Sequence, residues 1–75
     1  MPDAIELDLS GLKCPLPALR TRKALKGLET GVLLRVTCTD PMAVIDIPNL
    51  VRETGDAMEA SRERDGRAIF EIRKR

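Results

Sequence analysis

Histidine is absent from this 75-residue chain, and so are tryptophan and tyrosine. Without histidine there is no Cys–His nucleophile pair, and the commonest metal ligand and general base are missing. A single aromatic residue, Phe70, leaves no stacking platform for unpaired bases. Neither sign of charge is in excess. Thirteen Lys and Arg against twelve Asp and Glu give +1, so bulk electrostatics do not point to nucleic acid. The two cysteines, Cys14 and Cys38, form no Cys-x-x-Cys pair and are too few for a four-ligand zinc site. No apolar run approaches the ~20 residues of a membrane-spanning helix. Met1-Pro2-Asp3 starts no signal-peptide pattern. The expectation is a cytoplasmic chain with reduced thiols, no cofactor and no metal.

What remains is an ordinary globular composition, 43% hydrophobic and 33% charged. It is read as one domain over residues 1–75. A chain this short buries only roughly 60% of its unfolded surface, so its core is small. Ile5, Leu7 and Leu9 alternate with Glu6 and Asp8, the period of a half-buried strand. Pro15 to Lys26 reads as a helix, with Gly27 as its C-cap. Pro17, Ala18, Thr21, Ala24, Leu25 and Leu28 form its core stripe. Val32 to Thr39 is a strand with Leu34, Val36 and Cys38 on one face. Strand, helix and strand within this span predict a right-handed crossover and parallel pairing.

A short helical turn through Ile45 is expected next, and then a second helix opened by Asp46-Ile47-Pro48 with Asp46 as N-cap. Ile47, Leu50, Val51 and Thr54 give that helix its apolar stripe, and Gly55 ends it. Asp56 to Glu63 is the weakest strand, with Met58 and Ala60 assigned to one face. Asp65-Gly66 signals a two-residue hairpin, and Arg67 to Lys74 closes the chain with Ala68, Phe70 and Ile72 inward. The prediction is an α/β (α+β) two-layer sandwich, β-α-β-α-β-β. Both helices lie on one face of a four-stranded mixed sheet.

One stretch invites chemistry. Lys13-Cys14-Pro15-Leu16-Pro17 sets a cysteine before two prolines at a helix start. Unpaired N–H groups and the helix dipole there favour thiolate over thiol, and Lys13, Arg20 and Lys23 add positive charge. The competing reading of Cys14 is a small apolar residue in a helix–sheet seam. Cys38, beside Leu34 and Val36, reads as core. Leu16 and Leu19 miss the core stripe and fall among Arg20, Arg22, Lys23 and Lys26. That face is either simply solvated or a docking surface made of Lys13, Leu16, Leu19, Arg20 and Lys23. Asp40 and Asp46 are read as helix caps, with nothing to bring them to Cys14. A nucleophilic thiol with no base and no second thiol suits sulfur-for-sulfur exchange better than acyl transfer or dithiol redox work.

The run Asp8-Leu9-Ser10-Gly11-Leu12-Lys13-Cys14-Pro15-Leu16-Pro17 resembles the signature of the TusA/SirA-like sulfur carrier proteins. That signature is an Asp, a Gly three further on, then Cys-Pro-x-Pro. Gly31, Thr39-Asp40-Pro41 and Asp46-Ile47-Pro48 match as well. The resemblance implies a persulfide carried on the residue matching Cys14. It also implies a donor such as a cysteine desulfurase or rhodanese-like protein, and an acceptor relay protein. The pathways it implies are tRNA thiolation, molybdenum cofactor enzymes or sulfur metabolism. The chain is expected to be a monomer without direct nucleic-acid contact. Two other readings are a regulatory or nucleic-acid-binding module with Cys14 structural, and a thiol redox switch.

Overall fold

The computed structural model describes residues 4–75, so the opening Met1-Pro2-Asp3 lies outside the described residues. Six elements follow in the predicted order: β1 (Ile5–Leu9), α1 (Leu16–Lys26), β2 (Leu33–Cys38), α2 (Ala43–Thr54), β3 (Ala57–Arg64) and β4 (Arg67–Arg73). The sheet order is β1-β2-β4-β3. β1 and β2 run parallel, with Ile5 opposite Leu34, Leu7 opposite Val36 and Leu9 opposite Cys38. β4 lies antiparallel to both β2 and β3. The mixed sheet and the element order agree with the sequence reading.

The core forms where the inward strand positions meet the helix stripes. Leu9, Leu34, Val36, Cys38, Ala68, Phe70 and Ile72 from the sheet pack with Leu25 of α1 and with Ala43, Ile47 and Val51 of α2. The other sheet face carries charge. Arg35 bridges Glu6 and Glu71 there, on the two strands flanking β2. One face is therefore dry and helix-covered, and the other is laced with ion pairs. The hairpin between β3 and β4 turns on Asp65 (φ 52°) and Gly66 (φ 77°), the pair of positive φ angles that a type I′ turn requires. Among the described residues, no helix is long and apolar enough to cross a membrane.

Two expectations fail. The second helix starts at Ala43, and the short turn expected before it is its first turn. Asp46 thus lies inside the helix rather than at its cap, and Met42 takes the cap position with no side-chain bond. Pro48 falls within the helix, where it removes the N–H that would have reached the Val44 carbonyl. In β3, Met58 and Ala60 do not share a face. The register shifts between them, so Met58 pairs with Ile72 on the core side while Ala60 pairs with Glu71 on the charged side. An extra residue in one strand reverses the in–out alternation beyond it, which the simple period of two does not anticipate.

Candidate functional site

The parallel pairing of β1 and β2 brings the loops after their C-terminal ends together, the usual place for a site beside a parallel pair. The first loop is shaped by its own polar groups. Asp8 Oδ1 accepts hydrogen bonds from the Ser10 N–H and hydroxyl, which hold its carboxyl below the usual carboxylate range. Gly11, at φ 84°, takes a left-handed conformation that side chains disfavour, and its N–H reaches Thr39 Oγ1 of the second loop at 2.8 Å. One step further, the Cys14 N–H donates to Asp40 Oδ2 at 2.7 Å. The main chain of the cysteine is thereby clamped to the end of β2.

The Cys14 side chain is exposed, and its thiol donates to Asp46 Oδ2 at 2.9 Å. It stands at one end of a groove of about 310 Å³ between α1 and α2, lined also by Leu19, Arg22, Asn49 and Glu53. Arg22 Nη2 bridges to Glu53 Oε1 across that groove at 2.8 Å. Cys38 is fully buried, and burial is the main cause that pushes its thiol up to about 11. Both cysteines are free thiols.

The electrostatics reverse the sequence expectation. The Cys14 thiol is pushed above its ordinary value, first by the hydrogen bond to Asp46, then by desolvation and by the negative charges of Asp46 and Asp40. Each favours the protonated form. The helix end gives less help than expected, because the prolines that mark it also strip it of donors. Pro15 and Pro17 have no N–H, and the Leu16 N–H is taken by the Lys13 carbonyl at 2.8 Å. Lys13, Arg20 and Lys23 are exposed and lie outside the groove, where the cation is Arg22. The anticipated electropositive setting is in fact an acidic one.

Other site expectations fare differently. Leu16 and Leu19 are 43% and 55% exposed, as their position off the core stripe predicts, and Leu19 reaches the groove. Pro17 is buried in the α1 core stripe. Sequence reasoning missed Asp40 and Asp46 as neighbours of Cys14 by treating both as caps. The signal was present: parallel pairing of the first two strands requires the loops after them to meet. Among the described residues, no cluster of three or more His, Cys, Asp or Glu is arranged to hold a metal ion.

Comparison with known proteins covers the same span. The family model described as Sulfurtransferase TusA matches residues 5–74. A protein of Allochromatium vinosum named Sulfur carrier protein TusA is 44% identical over 69 residues, covering 92% of this chain and 91% of its own. One of the same name from Pseudomonas putida is 38% identical over 74 residues, covering 99% of this chain and 91% of its own.

Proposed function

This chain belongs to the TusA sulfurtransferase family, and from that premise we propose that it is a sulfur carrier that holds sulfane sulfur as a persulfide on Cys14. The observation that carries the reading is the exposure of the Cys14 thiol at the mouth of a groove, while the other thiol of the chain is sealed in the core. In loading, Cys14 Sγ bonds the outer sulfur of a donor persulfide R–S–SH, and the bond from that sulfur to R–S breaks. Cys14–S–SH and R–SH result, with no net oxidation or reduction. An acceptor thiol then repeats the exchange in the opposite direction.

The carrier acts as a monomer between a donor protein, such as a cysteine desulfurase or rhodanese-like protein, and an acceptor relay protein. A reducing cytoplasm suits it, because the exposed Cys14 thiol must stay free to take up sulfur. Leu16 and Leu19 supply apolar contact next to the thiol, and Lys13, Arg20 and Lys23 supply a cationic rim. Leu19 has the strongest support, since it is exposed and also lines the groove.

Incubation with glutathione persulfide tests the site. The expected product is heavier by about 32 Da (one sulfur), and the added mass maps to Cys14. Cys14→Ala should abolish the addition and Cys38→Ala should retain it. Sulfur found on Cys38, or retained by Cys14→Ala, would overturn the assignment.

A further inference from the structure

Asp46 occupies a position where the helix dipole favours a carboxylate, yet its side chain is directed to the Cys14 thiol. It lies in the first turn of α2 but makes no capping bond. Glu6, Glu53, Glu59 and Glu71 each pair with an arginine. Asp46 pairs with no cation among the described residues, and the only hydrogen bond its carboxylate makes there is the one from Cys14 Sγ. It is half-buried on the wall of the groove from which a donor sulfur would approach. Asp40 does a different job, since its carboxylate grips the Cys14 main chain and leaves the thiol to Asp46.

We propose that Asp46 is the proton acceptor and donor for Cys14 during sulfur transfer. The proposal rests on Cys14 being the residue that bears the sulfur. In loading, Cys14 Sγ attacks the outer sulfur of R–S–SH as its proton passes to Asp46 Oδ2. The bond from that sulfur to R–S breaks, and R–S⁻ leaves with the electron pair. Cys14–S–SH, R–S⁻ and a protonated Asp46 result, and the proton moves on to R–S⁻. Hand-over is the reverse: an acceptor thiol gives its proton to Asp46 and attacks as thiolate. Asp46 then protonates the departing Cys14 sulfur. The base that the sequence reading found missing is thus supplied from the second helix.

The arrangement explains how a thiol held protonated can be useful. A thiol of high proton affinity is intrinsically more nucleophilic once its proton is removed, and a poorer leaving group when it carries sulfur. A local base removes the proton only when a reacting sulfur is in place. The charged groups facing this thiol are Asp46 and Asp40, with the Arg22–Glu53 pair lining the same groove and exposed Lys13 next in the chain.

Two rates measured on the same protein separate the proposal from its rivals. Iodoacetamide reads the thiolate at Cys14, and glutathione persulfide reads sulfur uptake there by mass. In Asp46→Asn, alkylation at pH 7 should rise about three- to tenfold, because a carboxylate that holds the proton is gone. Sulfur uptake should fall by about tenfold or more, within the range of a lost proton-transfer group. Asp46→Glu should restore part of the uptake. Circular dichroism checks folding, and Asp46→Ala should show the same split. If uptake rises together with alkylation, or neither rate moves, the proposal is overturned while Cys14 keeps its role. Uptake that survives Cys14→Ala would instead remove the premise.

Discussion

Cys14 and Cys38 sit at the same end of the sheet, one in the loop after β1 and the other on the last residue of β2, and their surroundings differ in kind. Cys38 is protonated because the apolar core excludes a charged sulfur. Cys14 is protonated because a carboxylate accepts its proton in a hydrogen bond at an open groove. The first kind of constraint offers the proton nowhere to go. The second holds the proton next to the group that can take it. A thiol with a raised proton affinity is therefore not in itself an inert one, and the cause of the shift decides.

The contrast is sharpest in accessibility. In the native protein, iodoacetamide should modify Cys14 faster than Cys38 by about two orders of magnitude or more, since a sealed thiol reacts only through local opening. Peptide mapping after partial alkylation checks this, and comparable rates would break the comparison.

Stability separates the two sites next. Cys38→Ser places a hydroxyl in the core and should cost about 1–3 kcal/mol in urea unfolding. Cys14→Ser should stay within about 0.5 kcal/mol. In Cys14→Ala, where Cys38 is the only thiol, a pH term should also appear. The folded Cys38 value of about 11 lies above the ordinary 9.0, so its contribution is complete below pH 9. It should be lost as the pH rises from 9 to 11, because only the unfolded chain releases the proton there. The urea midpoint should decline across that window, and less so when Cys38 is alanine as well.

The smallest effect concerns the clamp. Asp40→Ala removes the acceptor of the Cys14 N–H and should destabilise by about 0.5–1.5 kcal/mol. It also removes one of the charges that favour the thiol, so alkylation of Cys14 at pH 7 should quicken modestly. Unchanged values of both would show that Asp40 does not connect the loop to the thiol.

Much of this was legible in the residues. The alternation through Ile5 to Leu9, the stripe from Pro17 to Leu28 and the Asp65-Gly66 turn each report a local rule, and the fold satisfies them together. Leu16 and Leu19 were readable as exposed because helical period alone assigns their side. What escaped depended on distance along the chain. Asp40 and Asp46 look like caps from their neighbours, and only the β1–β2 register sets them against Cys14. The thiol's proton affinity was misjudged for the same reason. Lys13 precedes it and a helix start follows, yet the groups that touch it come from the second loop and helix. The β3 irregularity escaped because nothing local distinguishes a strand with one extra residue.

That irregularity has a consequence for self-association. β3 is an outer strand of the sheet, and an outer strand offers unpaired backbone groups to any other extended chain. Here its exposed positions include Glu59, Ser61, Arg62, Glu63 and Arg64, and the register shift at Glu59 breaks the flat repeat that a docking strand would need. Arg73 ties Glu59 down through two hydrogen bonds, at 2.7 and 2.9 Å. Charge and a bulge on an outer strand are the features that discourage edge-to-edge strand pairing. The irregular residue that breaks the in–out alternation of β3 is thus also the one that interrupts its open edge.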